Sequence, residues 1–173
     1  MSEGIVLPHV PRGTLLPERE RLARLAEATP QILAAVAGET DGVSVQATLA
    51  CLLWETLPHA SWCGFYRRVE DQLLSVGPYQ GGMGCLRIPF SKGVCGACAR
   101  EARPMLVPDV RRFPGHIACD DATLSELVLP VMGKQRLEAV LDLDARELDA
   151  FCQGESDALT TLLSQAFADV VRW

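Results

Sequence analysis

No stretch of this sequence approaches the roughly 20 consecutive apolar residues that a membrane span needs. Its start, Met1-Ser2-Glu3-Gly4-Ile5-Val6-Leu7-Pro8, also lacks the charged region followed by an apolar one that marks a secretory leader. Both absences lead us to expect a soluble, cytoplasmic chain with no membrane partner. Basic residues are scarce too: 16 Lys and Arg face 22 Asp and Glu, a formal net charge of -6. Nucleic-acid binding rests largely on clustered Lys and Arg, and the pairs Arg67-Arg68 and Arg111-Arg112 are too short to provide it. A Walker-type glycine-rich loop, His-Glu-x-x-His and Gly-x-Ser-x-Gly are all missing, which removes the usual marks of nucleotide hydrolysis, zincin chemistry and α/β-hydrolase chemistry.

What is present is the composition of a folded domain, 49% hydrophobic and 22% charged over 173 residues. A chain of that length buries roughly 70% of the surface its unfolded form exposes, so one core suffices without metal or disulfide staples. Seven cysteines, an odd number, fit poorly with a structural disulfide framework. Most are expected to be small buried hydrophobes.

Residues 1–16 carry Gly4, Pro8, Pro11 and Gly13 with no periodicity and read as an irregular arm. Pro17 suits the first position of a helix, and Thr29-Pro30 repeats that signal, predicting a second short helix that ends near Gly38. We therefore divide the chain into an arm with a short helix over 1–28 and a main domain over 29–173. Val45, Leu49, Leu52, Leu53 and Leu57 have helical spacing, with Asp41 or Ser44 as N-cap and Pro58 as the stop. From Ser61 the pattern changes to short β-branched and aromatic runs, predicting strands at Trp62–Val69, Gln72–Val76 and Leu86–Pro89. A short helix over Gly93–Glu101, an extended Met105–Val107 and a long loop over Asp109–Thr123 follow. Strands at Glu126–Met132 and Arg136–Asp144 then form a hairpin through Gly133-Lys134. The apolar stripe from Ala158 to Val171 predicts a C-terminal amphipathic helix. Helices at both ends with strands between them make an α+β domain.

Two groups of residues carry chemistry. Cys85 follows Gly81-Gly82-Met83-Gly84, a backbone able to move its sulfur, and Cys119 ends a loop where exposure is expected. These are the candidate reactive thiols; the plain alternative is that both are incidental loop cysteines. A zinc site is disfavoured because only Cys95-Gly96-Ala97-Cys98 has knuckle spacing, so no metal is expected. The second group is acidic. Strand alternation puts Asp142 and Asp144 on one face, and Glu126 opens the partner strand, so three carboxylates can converge. Carboxylates sharing a site raise each other's proton affinity and become candidate general acids, unless they are solvated strand-end residues.

Several longer motifs follow one another: Gly38-Glu39-Thr40-Asp41, Trp62-Cys63-Gly64-Phe65-Tyr66, Gly77-Pro78-Tyr79-Gln80-Gly81 and Cys85-Leu86-Arg87-Ile88-Pro89. They continue with Gly93-Val94-Cys95-Gly96, Val107-Pro108-Asp109-Val110, Phe113-Pro114-Gly115-His116-Ile117-Ala118-Cys119-Asp120 and Leu141-Asp142-Leu143-Asp144. In this order, from about Thr29 to Val170, they resemble the free methionine-(R)-sulfoxide reductase family, built on the GAF fold. The resemblance implies a six-stranded antiparallel sheet flanked by helices and action on free L-methionine-(R)-sulfoxide without a cofactor. It carries the family's redox cysteines onto Cys85, Cys95 and Cys119, and its acidic pocket onto Glu126, Asp142 and Asp144, with Trp62 and Tyr66 as the aromatic wall. It also implies a thioredoxin-like electron donor and a homodimer. Cys63 and Cys98 depart from the pattern, as does Asp121-Ala122-Thr123-Leu124; Cys51 and Cys152 match no redox position.

On this reading Cys119 is the nucleophile, Asp144 the proton donor, and Glu126 with Asp142 hold the substrate ammonium. Cys85 is the preferred resolving thiol over Cys95, which is expected near a helix start. His116, three residues from Cys119, is a weaker candidate base. The rival readings are a non-catalytic GAF module that binds a small ligand, and a thiol redox sensor.

Overall fold

The computed structural model describes residues 5–116 and 120–173. Among them are α1 (Glu18–Ala35), α2 (Gly42–Thr56), β1 (Ala60–Glu70), β2 (Leu73–Gly81), β3 (Arg87–Pro89), α3 (Gly93–Glu101), β4 (Met105–Val107), β5 (Ser125–Met132), β6 (Leu137–Ala145) and α4 (Gln153–Ala166). The strands form one six-stranded sheet in the order β3-β2-β1-β6-β5-β4, and every pairing is antiparallel. This is the α+β architecture that the alternating patterns predicted, with α3 and β4 at the expected bounds.

Strand alternation divides the core in two. Cys63, Phe65, Leu127, Leu129, Leu141 and Leu143 point to one face and pack with α1, α2 and α4. Trp62, Tyr66, Val128 and Val140 point to the other, where they meet Val94, Cys95 and Cys98 of α3. One face is thus covered by three helices and the other by a single short one, and it is under that thinner cover that the acidic residues of β5 and β6 lie.

Two helix readings need correction. Thr29-Pro30 does not begin a new helix: Pro30 lies inside α1, which runs through it. A mid-helix proline costs roughly 3 kcal/mol, but Leu25, Ala28 and Ile32 are buried in one stripe on either side of it, and that packing holds the two turns in line. The C-terminal stripe does not stay helical to Val171. The helix stops at Ala166, residues 167–169 turn, and the chain then pairs with the segment before α2 through Arg172 and Asp41. Val171 and Arg172 donate to the Thr40 carbonyl, and Gly42 donates to the Arg172 carbonyl at 2.7 Å. Val170 stays in the core while Val171 is exposed, an alternation of extended chain rather than helix. Asp41 is the N-cap of α2, accepting from the Ser44 amide at 2.9 Å. Strand β2 also runs further than expected, to Gly81, because Gln80 and Gly81 pair with Cys63 and Trp62. The described part of the arm is irregular, as expected, and is tied to the domain: Arg12 donates to the Leu57 carbonyl at 2.7 Å and stacks over Trp54.

Candidate active site

The sheet register assembles the acidic group. Asp144 of β6 pairs with Glu126 of β5 on one side and with Trp62 of β1 on the other. Asp142, two residues earlier on β6, pairs with Gly64 of β1 and shares the face of Asp144. All three carboxylates line one cleft whose empty space, open mouth included, is about 600 Å³. Trp62, Tyr66, Gly82, Met83, Gly84, Cys95, His116, Asp120 and Thr123 also line it.

The aromatic wall forms because β1 carries Trp62 and Tyr66 on one face with only Gly64 between them. Their rings stack at 5.5 Å, and Tyr79 of β2 stacks on the outer side of Trp62 at 5.2 Å. A Cβ at Gly64 would come within 2.8 Å of the Trp62 ring, so the stack depends on the missing side chain. The Trp62 indole N–H donates to the Gly82 carbonyl at 3.1 Å, and the Tyr66 hydroxyl takes a hydrogen bond from the Cys85 backbone. The aromatic pair thereby fixes the glycine-rich segment that leads to Cys85.

Glu126 and Asp142 are buried. No Lys or Arg stands among the described residues lining the cleft. Burial pushes the Glu126 carboxyl well up, and the neighbouring Asp142 and Asp144 push it further. Burial likewise raises Asp144 well above the ordinary range, followed by Asp142 and Asp120. Asp142 is raised to about 6 by burial, an effect that hydrogen bonds from Cys95 and Glu126 partly offset. The Asp142 Oδ1 atom is buried with no hydrogen-bond partner among the described residues. An unmatched buried acceptor is costly, and here it faces a cleft with room for a donor.

Cys95 enters from α3, where it is the third helical residue, as the sequence led us to expect. Its Sγ lies 3.9 Å from Glu126 Oε1, and burial followed by the Asp142 and Glu126 charges raises its thiol strongly. His116 Nε2 is 3.7 Å from Glu126 Oε2, and burial lowers its proton affinity. Cys85 is disulfide-bonded, whereas Cys51, Cys63, Cys95, Cys98 and Cys152 are free thiols. Cys119 lies outside the described residues. Cys63 and Cys98 are fully buried, and burial drives both thiols up.

Of the residues singled out from the sequence, Trp62, Tyr66, Cys95, Glu126, Asp142 and Asp144 thus share one cleft, and the His116 side chain joins them. Sequence reasoning missed Tyr79, although it lies in a quoted motif, because its stacking on Trp62 depends on the register of β2. It also missed Asp120 and Thr123, which line the cleft just before β5. The proximity of Cys95 to Glu126 had no sequence signal, since 31 residues separate them.

Residues 44–167 match the family model for the GAF domain. A free methionine-R-sulfoxide reductase of Escherichia coli is 40% identical over 132 residues, covering 76% of this chain and 79% of that protein. The chain belongs to the free methionine-R-sulfoxide reductase family. A reductase of the same name from Saccharomyces cerevisiae is 34% identical over 147 residues, 79% of this chain and 82% of its own. The crystal structure of the family's reductase from Neisseria meningitidis, in complex with its substrate, superposes with a TM-score of 0.82 at 33% identity. That superposition covers 94% of this chain and 95% of the other. Family membership makes the chain an oxidoreductase acting on sulfur, and the six-stranded antiparallel sheet with its flanking helices is the GAF fold.

Proposed function

We propose that this chain reduces free L-methionine-(R)-sulfoxide to L-methionine in the cleft between β1, β5, β6 and α3. The observation that carries the reading is a buried set of carboxylates with an unmatched Asp142 oxygen, set against stacked aromatic rings. A free amino acid brings an ammonium for the carboxylates and a small apolar sulfur end for the aromatic wall. A methionine sulfoxide within a polypeptide has no such ammonium, so the acidic cleft selects the free form.

Cys119 attacks the sulfoxide sulfur, and a carboxyl proton, best supplied by Asp144, goes to the oxygen. The oxygen passes to the Cys119 sulfur as the substrate S–O bond and the transient bond between the two sulfurs break, methionine leaves, and Cys119, its thiol proton given back to the carboxylate, is left as a sulfenic acid. The Cys85 thiol displaces that oxygen as water, forming a disulfide, so the two thiols provide the two electrons of the reduction. A thioredoxin-like dithiol then restores both by exchange. In favour of Cys85 over Cys95 as resolving thiol is that Cys85 is disulfide-bonded while Cys95 is free and pressed against Glu126. Cys98, enclosed in the core, has no access to that role. The homodimer and the cytoplasmic setting remain part of the proposal.

Single-turnover release of methionine from stoichiometric substrate tests it. Asp144→Asn keeps shape but cannot supply an acidic proton, and should slow the first turnover by roughly 10²-fold. Cys85→Ser should release one methionine per chain at the normal rate and then stop cycling with thioredoxin. A normal first turnover in Asp144→Asn together with its loss in Cys85→Ser would reverse the roles. No methionine from reduced wild-type protein would leave a non-catalytic binding module or a thiol sensor.

A further inference from the structure

We propose that the same cleft, with its cysteines reduced, is also a binding site for a thiophilic divalent cation, Zn²⁺ above all, held by Cys95, Glu126 and Asp142. The three residues come from three elements, α3, β5 and β6, and each offers a ligand atom within 4.8 Å of the others. Tetrahedral zinc, with a Zn–S distance near 2.3 Å and Zn–O near 2.0–2.2 Å, sets neighbouring sulfur and oxygen ligands roughly 3.5 Å apart. The Cys95 Sγ to Glu126 Oε1 separation of 3.9 Å needs to close by only a few tenths of an ångström.

The second observation is the Asp142 Oδ1 atom, buried without a partner and belonging to a residue only 6% exposed that lines the cleft. His116 Nε2 is 3.7 Å from the other Glu126 oxygen but is not among the three residues whose ligand atoms all lie within 4.8 Å of one another, so it stands outside the proposed donor set. A donor set of one thiolate and two carboxylates suits zinc rather than Mg²⁺ or Ca²⁺, which favour oxygen alone. Charge argues the same way: the described lining residues bring several carboxylates and no Lys or Arg, so a dication meets no competing positive side chain.

The sequence-level arithmetic of zinc sites could not find this group. Cys98, the partner of Cys95 in the Cys-x-x-Cys spacing, is not part of it; its place is taken by carboxylates far along the chain. Binding releases the Cys95 proton and occupies the oxygens that, on the function proposed above, receive the substrate ammonium. The metal is therefore expected to inhibit by competition, coupling methionine repair to free zinc.

Co²⁺ alone, added to fully reduced protein with all small thiols removed, tests the binding without reference to turnover. A Cys85→Ser/Cys119→Ser background removes the two thiols assigned to turnover and keeps Cys95, which lines the cleft. A thiolate-to-cobalt charge-transfer band should appear there, vanish on adding Cys95→Ser, and need at least tenfold more metal with Asp142→Asn, a variant of unchanged volume. Zn²⁺ should bleach the band. No band, or one that survives Cys95→Ser, overturns the site. In the wild type, Zn²⁺ should raise the KM for free methionine sulfoxide about tenfold with kcat unchanged, and a fall in kcat alone would place the inhibiting metal elsewhere. If the protein reduces no methionine sulfoxide at all, the functional reading fails while the cobalt result decides the metal site by itself.

Discussion

Both faces of the sheet bury carboxylates, but in opposite settings. On the face covered by α1, α2 and α4, Glu155 is completely buried and fully matched. It accepts from Arg21 Nε at 3.0 Å, from Arg21 Nη2 at 3.2 Å and from the Cys152 amide at 3.0 Å. On the face under α3, Glu126 and Asp142 are buried with no Lys or Arg among the described residues lining their cleft, and one Asp142 oxygen has no partner among the described residues. A buried charge with a complete set of donors fastens α1 to α4, whereas a buried carboxylate without one, lining a cleft, keeps an acceptor open to a donor from outside the chain. Burial alone therefore does not single out a carboxylate for binding, and neither does a missing hydrogen-bond partner: the His59 ring nitrogens also have none among the described residues, yet that ring is enclosed against Phe151, whereas Asp142 lines the cleft.

The largest effect that should separate the two faces is the cost of losing the Glu155 charge. Glu155→Gln leaves Arg21 buried and unpaired, and should lower the unfolding free energy by roughly 3–5 kcal/mol, measured by urea denaturation. A loss below about 1 kcal/mol, typical of an exposed pair, would break the contrast. On the other face, Gly64→Ala pushes a methyl into Tyr79 and the Trp62 ring. Overpacking of that kind costs roughly 1–3 kcal/mol, and it should also weaken substrate binding, because the aromatic wall must shift. Crystal or NMR evidence of an undisturbed Trp62–Tyr66 stack in that variant would count against the role given to Gly64.

His59 gives the pH dependence of the matched face. It is buried beside Glu155, whose oxygens are already engaged by Arg21, and burial followed by the Arg21 and Arg12 charges lowers it from 6.5 to about 3. The depressed value means that the unfolded chain binds the His59 proton first. Stability from keeping this residue neutral is therefore present above about 6.5 and declines as the pH falls toward about 3. Between pH 7 and pH 5 the loss should be on the order of 1–2 kcal/mol, and His59→Gln should flatten that part of the profile. An unchanged slope in the variant would show that His59 is protonated in the fold.

The smallest expected change in stability, and the one of opposite sign, is at Asp142. Asp142→Asn removes an acid that lacks a counter-charge, so stability should stay level or rise by up to about 1 kcal/mol. Binding of free methionine sulfoxide should nevertheless weaken, read as a raised KM. A destabilisation as large as that of Glu155→Gln would mean that Asp142 is a structural residue after all.

Much of this was legible in the chain itself. Strand alternation in Leu137–Ala145 puts Asp142 and Asp144 on one face whatever surrounds them, and the strand-period runs, the turn at Gly133-Lys134 and the N-cap at Asp41 are local chemistry. The resemblance carried by the Trp62–Tyr66 and Cys85–Pro89 motifs named the fold and the pocket residues. Local signals misled where packing outweighed them. Pro30 signals a helix start, yet the buried stripe of Leu25, Ala28 and Ile32 runs a single helix through it. The apolar stripe to Val171 suits a helix, yet pairing with Thr40 and Gly42 draws its end into extended chain.

Periodicities, turns and the strand face each residue takes depend on neighbours a few positions apart, and so can be read along the chain. The pairing of Glu126 with Asp144, the approach of Cys95 to Glu126 across 31 residues and the reach of Arg21 to Glu155 across 134 cannot. Those contacts follow from strand register and helix docking, which are set by the burial of the whole core. The same docking decides which carboxylate receives a complete set of donors and which is left with an open side toward the cleft.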